Sequence, residues 1–147
     1  MRSRYPLILL VAEGDEDEQT RWTRVAKAQE DSLHVHFVSS GEEILQYLRR
    51  EGRFAGPVAA PHLLLMSWAG STPGTKEALR AMKLDPRLKF LPTIVLVENG
   101  AAVDMAEAYL LGAASCCAAP KTDEAASEFL AAVRSFWGEF VRFPIVL

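Results

Sequence analysis

The chain has 147 residues, 16 basic and 19 acidic, for a formal net charge of −3; half are hydrophobic and 24% are charged. That length and composition suit one globular domain that buries a core without disulfides or metal, and they exclude a disordered chain. The charge balance argues against a nucleic-acid binder, which needs a basic patch to displace counterions from phosphates.

The only two cysteines, Cys116 and Cys117, are adjacent. Adjacent cysteines meet disulfide geometry poorly, so a reduced, cytoplasmic setting is the natural expectation. The apolar run Leu7 to Val11 is too short for a signal core and acidic residues follow it at once. No stretch approaches the ~20 apolar residues that span a bilayer, so no membrane association is expected.

In chain order, short apolar runs alternate with helical patterns. Pro6 to Ala12 reads as a strand buried on both faces. Asp15 to Gln29 reads as a helix with Trp22, Val25 and Ala26 on one stripe. Leu33 to Val38 is a second strand. Ser40 caps the next helix, with Glu43 three residues on to complete a capping box. That helix turns Ile44, Leu45 and Leu48 inward and ends at Gly52. Leu63 to Met66 is a third strand. Thr75 to Leu84 is a helix with Ala78, Leu79 and Met82 on one face, stopped by Asp85-Pro86. Thr93 to Val97 is a fourth strand, Ala101 to Leu111 a helix ended by Gly112, and Ala114 to Ala118 a short, buried fifth strand. Thr122 to Phe140 is a final amphipathic helix, with Phe129, Val133, Phe136 and Phe140 spaced three or four apart.

Strand and helix thus alternate five times. Short connections with helical crossovers demand a parallel α/β sheet, a single (βα)5 doubly wound unit with helices on both faces. Function in such sheets sits at the carboxyl ends of the strands. The residues there are Ala12 to Asp17, Ser67 to Gly70, Val97 to Gly100 and Ala118 to Lys121.

Three segments carry a resemblance to a known family: SGEEILQYLRREG from Ser40 to Gly52, KLDPRLKFLP from Lys83 to Pro92, and Gly112-Ala-Ala-Ser with Pro120 further on. On these the chain, from about Pro6 to Trp137, resembles a response-regulator receiver domain (CheY-like) of the stand-alone type that works beside bacterial phytochromes. The resemblance implies a flavodoxin-like sheet in strand order 2-1-3-4-5. It also implies a place in two-component (phosphorelay) signal transduction, with a sensor kinase or other signalling protein as partner.

In that family two acidic residues end the first strand and an aspartate ends the third. Together they hold Mg²⁺, a hard cation that wants anionic oxygen, and the aspartate accepts a phosphoryl group. A Thr or Ser after the fourth strand and a Lys after the fifth bind the phosphoryl oxygens, and an aromatic on the fifth strand responds. This sequence departs from the pattern at each place. The acidic pair falls on Ala12 and Glu13, the acceptor on Ser67, the hydroxyl on Val97, the lysine on Ala119 just before Pro120, and the aromatic on Cys116. Slipping the lysine to Lys121 would put Pro120 out of register. An alcohol at Ser67 cannot form an acyl phosphate. The expectation is therefore a degenerate pseudo-receiver that does not accept phosphate, is not an enzyme, binds no cofactor or metal, and acts through phosphorylation-independent protein contact.

Other residues carry blander readings beside the sharp ones. Glu13 and Asp15 to Glu18 suit the first turn of a helix, where the dipole favours acid, better than a metal site. His34 and His36 share one strand face, a spacing that can ligate zinc, with no third ligand evident. His62, ahead of the third strand, is expected to be exposed. Cys116 and Cys117 read as small apolar fillers of a buried strand rather than as a redox pair. Trp68 reads equally as a pocket-rim contact for a partner and as a rim aromatic packed over the first helix.

The apolar extension from 138 to 147 must be covered either by its own sheet edge or by another subunit. A subunit interface through Phe136, Trp137, Phe140 and Phe143, as in a homodimer, is favoured because the resembled family often dimerises through its last strand and helix. The competing function is a small-molecule binder or minor enzyme that reuses the carboxyl-end crevice, lined by Glu13, Ser67, Trp68 and Cys116.

Overall fold

The computed structural model describes residues 6–29, 32–98 and 102–140. Five strands form, β1 (Leu7–Ala12), β2 (Leu33–Val38), β3 (Leu63–Ser67), β4 (Thr93–Val97) and β5 (Ser115–Ala118). They make one all-parallel sheet in the order β2-β1-β3-β4-β5. Five helices cross over between or after them: α1 (Glu16–Lys27), α2 (Gly41–Arg49), α3 (Thr75–Leu84), α4 (Ala102–Leu110) and α5 (Asp123–Ser135). The expected α/β doubly wound class and strand order are both observed.

The three central strands are apolar runs because both of their faces are covered. On one face Leu10, Leu64, Met66 and Val95 pack with Ile44, Leu79, Met82 and Ala108 of α2, α3 and α4. On the other, Leu9, Leu63, Leu65 and Leu96 pack with Trp22, Val25, Leu130 and Val133 of α1 and α5. Period-two alternation along each strand produces this division.

Helix starts follow local side-chain chemistry. The Asp15 carboxylate accepts from the N–H groups of Asp17 and Glu18, at 2.8 and 3.2 Å. The Ser40 hydroxyl accepts from the Glu43 N–H at 3.1 Å, and the Glu43 carboxylate reaches back to the Ser39 N–H at 2.7 Å, one residue before the cap. Thr122 caps α5 through the Ala125 N–H.

Beyond shifts of one or two residues at element ends, three features differ from the sequence reading. First, α2 stops at Arg49, ahead of Gly52. Arg50 takes the left-handed conformation, φ 57, and the Glu51 N–H reaches the Gln46 carbonyl at 2.9 Å, while Gly52 opens a 3-10 turn. Second, α5 ends at Ser135 and gives way to a π-helical turn over Phe136–Phe140. The inward face runs through Ala126, Leu130, Val133 and Trp137 at ordinary helical spacing, so Phe136 is 55% exposed rather than inward. Trp137 instead packs beside the α1–α5 core, and its ring meets Phe136 edge-on at 5.5 Å. The Phe140 side chain and Phe143 lie outside the described residues. Third, β5 is an edge strand whose residues are half-buried to exposed, so Cys116 and Cys117 do not sit in a buried strand. They point to opposite faces, Cys116 toward α2–α4 and Cys117 toward α1–α5.

Among the described residues no helix is long and apolar enough to cross a membrane.

Candidate functional site

Strand register brings the sequence-selected positions to one rim. Ala12 pairs with Met66, Ser67 with Leu96 and Val97 with Ala118, so the carboxyl ends of β1, β3, β4 and β5 lie level. Ala119 continues β5 by donating its N–H to the Val97 carbonyl at 2.8 Å. Ala12, Glu13, Ser67 and Val97 are all buried. Cys116 lies further back on β5, opposite Val95. Its half-buried thiol has its pKa pushed up by burial, with the Cys117 and Asp104 charges adding to the effect.

Glu13 supplies the carboxylate at this rim, and it is already engaged. Its Oε2 accepts from the Asp15 N–H at 3.3 Å and from the Thr72 hydroxyl at 3.4 Å. Thr72, itself buried, also accepts from the Gly14 N–H at 2.9 Å. Gln19 donates its side-chain N–H to the Glu13 carbonyl at 2.6 Å. Burial pushes the Glu13 pKa up, the Asp15 N–H bond opposes this, the Glu18 charge raises it, and the Thr72 bond lowers it again.

The segment between β3 and α3 folds down to deliver Thr72. A Cβ at Gly14 would lie 1.8 Å from the Ser71 carbonyl oxygen, so only glycine lets the two loops approach this closely. Likewise a Cβ at Gly41 would lie 1.8 Å from the Gly74 carbonyl oxygen, and the Gly41 N–H donates to the Pro73 carbonyl at 2.8 Å. Thr72 was missed in the sequence. A threonine in a Ser-Thr-Pro-Gly stretch carries no pattern that points to a carboxylate 59 residues earlier.

Ser67 accepts from the Ala69 N–H at 3.3 Å. Glu98, just after β4, pairs with Lys121 at 2.7 Å, and both side chains are more than half exposed. The ammonium beyond Pro120 is thus held at the outer rim by an acid.

Trp68 does not pack over the first helix. Its ring lies on the α2–α4 side with Met66, the Nε1–H directed at the Met66 sulfur at 3.3 Å. Lys76 of α3 places its Nζ 4.8 Å from the ring centroid. His62 is half-buried rather than exposed; its Nδ1 accepts from the Ile8 N–H at 3.0 Å, and burial lowers its pKa. His34 is exposed, while the His36 ring lies 6.4 Å from that of Tyr47. Asp15 to Glu18 form the cap and first turn of α1.

A Mg²⁺ ion wants several anionic oxygens. The rim's buried carboxylate, Glu13, is turned into protein donors, beside the alcohols of Ser67 and Thr72 and the methyl of Ala12, and Glu98 at the outer rim is paired with Lys121. These residues do not fit that ion, and no group of three or more His, Cys, Asp or Glu among the described residues is placed to hold a metal.

The remaining segments of the resemblance are structural. The Lys83 stem packs where a Cβ at Gly112 would stand, 2.9 to 3.1 Å away, and its Nζ donates to the Lys89 carbonyl. Asp85 ends α3, accepts from the Arg87 N–H at 2.9 Å and pairs with Arg49 of α2 at 3.4 Å.

No protein-family model matches the chain, and no curated protein matches it in sequence. Solved structures do. A response regulator in red light signaling of R. palustris superposes with TM-score 0.87 at 25% identity, covering 95% of this chain and 99% of that one. The fold is that of a response-regulator receiver domain. A phosphorylated cyanobacterial phytochrome response regulator, RcpA, gives TM-score 0.82 at 22% identity over 95% of this chain and 99% of its own. The Mn²⁺-bound form of response regulator Rcp1 gives 0.79 at 21% identity over 95% and 100%. The receiver fold therefore spans nearly all of this chain, while the metal and phosphoryl group named for two of these structures belong to them.

Proposed function

We propose that this chain is a pseudo-receiver of two-component signalling, one that keeps the receiver frame and works by protein contact without accepting a phosphoryl group. The observation that carries this reading is the state of the rim. The acceptor position is an alcohol, Ser67, and the remaining acid, Glu13, is satisfied by Asp15 and Thr72 inside the fold. Phosphoryl transfer to a carboxylate needs that carboxylate, a metal to neutralise the developing charge, and donors for the phosphoryl oxygens. Ala12, Val97 and Ala119 supply none of these, and Ser67 supplies a hydroxyl but no carboxylate. The partner is a sensor kinase or another signalling protein, and the exposed Phe136 beside Trp137 is the candidate contact with a second copy.

The small-molecule reading gains no specific support. Thr72 bonds the rim carboxylate of Glu13, and its loop packs closely on Gly14. Two cavities, of about 190 and 470 Å³, lie along the groove between α1 and β2, lined by Thr23 and Lys27 with Val35 and Phe37.

The experiment is a melting curve with and without Mg²⁺ and beryllium fluoride. A ligand that binds the folded state must raise its stability, so an unchanged Tm agrees with the proposal. A Mg²⁺-dependent rise in Tm contradicts it.

A further inference from the structure

Helix α4 is built the wrong way round for a helix on a sheet. Its exposed positions are apolar: Val103 is 80% exposed, Leu110 86% and Tyr109 54%, whereas Ala108 is its one buried residue. Its acids are half-buried and face α3, where Lys76 Nζ lies 3.4 Å from Asp104 and 3.2 Å from Glu107. The same ammonium sits over the Trp68 ring. At the other end of the helix the Tyr109 hydroxyl accepts from the N–H of Cys116, at 3.1 Å, on the outer edge of β5. With little apolar area beneath it, α4 owes its place to these polar ties. Elements with few buried apolar contacts open at low free-energy cost.

We infer that α4 is a hinged cover over the free edge of β5, pinned at its start by the Lys76 clasp and at its end by the Tyr109 hydroxyl, and that it lifts as a unit when either pin is lost. Lifting frees the Cys116 N–H and uncovers the Cys116 thiol, which packs on the α4 side of the sheet. Cys117, on the α5 side, stays as it was. Whether Ser67 can be phosphorylated has no bearing on this motion.

The adjacent cysteines provide the test and its internal control. Thiol labelling with N-ethylmaleimide at pH 8 is followed in two backgrounds, Cys117→Ala to read Cys116 and Cys116→Ala to read Cys117. Lys76→Met and Tyr109→Phe each speed labelling of Cys116 by about three- to fivefold, as expected for the loss of one partly exposed polar tie. Neither changes Cys117. Lys76→Arg keeps the charge and restores the slow rate. Added NaCl speeds Cys116 labelling in the parent and has little effect in Lys76→Met, because screening removes what the mutation already removed. Two outcomes overturn the inference: Cys116 labelling that ignores both substitutions, or both thiols accelerating together, which would report whole-domain opening. If a cysteine variant fails to fold, amide exchange in the Lys76 and Tyr109 variants separates the same outcomes: faster exchange in α4 than in α2 supports the hinged cover, and equal acceleration in both overturns it.

Discussion

Arg50 and Glu13 each hold a conformation or ionisation state that the fold imposes on them. Arg50 closes α2 in the left-handed region, where a Cβ crowds the following carbonyl. Arg50→Gly should therefore stabilise the domain by about 1 kcal/mol, read as a shift in the denaturation midpoint at constant m-value; a neutral or destabilising result would mean that the Arg50 side chain has a compensating role. For Glu13, burial raises the folded pKa above the ordinary glutamate value. The protonated form is thus the better bound. Its stabilising contribution is fully present below the unfolded pKa and is lost as the pH rises through the folded one. The Glu13 contribution to the unfolding free energy should decline across that window, and Glu13→Gln, which keeps an acceptor for Thr72 and Asp15, should remove that decline and raise stability at pH 7 relative to the parent. A steeper decline in the variant would contradict the burial account.

The central strands were the most legible elements because two covered faces demand an unbroken apolar run. Ser40 marked the start of α2 because it supplies an acceptor to a helix N–H that has no other, and the structure shows Asp15 and Thr122 doing the same for α1 and α5. Helix ends were harder to read. Arg50 terminates α2 in a conformation that favours glycine, and the phenylalanine spacing along α5 is not its buried stripe, which runs Ala126, Leu130, Val133 and Trp137. The side taken by Trp68 was not read from the sequence, although Leu64, Met66 and Trp68 stand two apart and share a face. The Thr72–Glu13 bond was not legible, since it joins two loops through glycine-dependent approaches that have no period. At this scale two substitutions are informative. Leu64→Ala, in fully buried β3, should cost about 2–5 kcal/mol, the usual range for truncating a buried leucine, read from chemical denaturation. Ser67→Asp ends β3 level with the buried acid that follows β1, and should lower stability by about 1–3 kcal/mol while giving no phosphoryl uptake, because Ala12, Val97 and Ala119 remain. Uptake by that single variant would mean that the missing groups are dispensable.

As a whole molecule, the protein joins a receiver frame, seen in structures that match it over nearly their whole length, to a rim whose buried carboxylate, Glu13, is bonded by its own loops. The frame is specified by many residues acting together, so it was recognisable from the spacing of its segments. The rim depends on a handful of side chains, and the proposed function rests on four of them, Ala12, Ser67, Val97 and Ala119, whose chemistry is not that of a magnesium-dependent phosphoryl acceptor. The decisive measurement is the intact mass of the native chain after incubation with Mg²⁺ and either acetyl phosphate or a phosphorylated histidine-kinase donor, with a competent receiver as positive control. The account predicts that the mass stays unchanged. A mass increase of one phosphoryl group, removable by hydroxylamine as an acyl phosphate is, would contradict it.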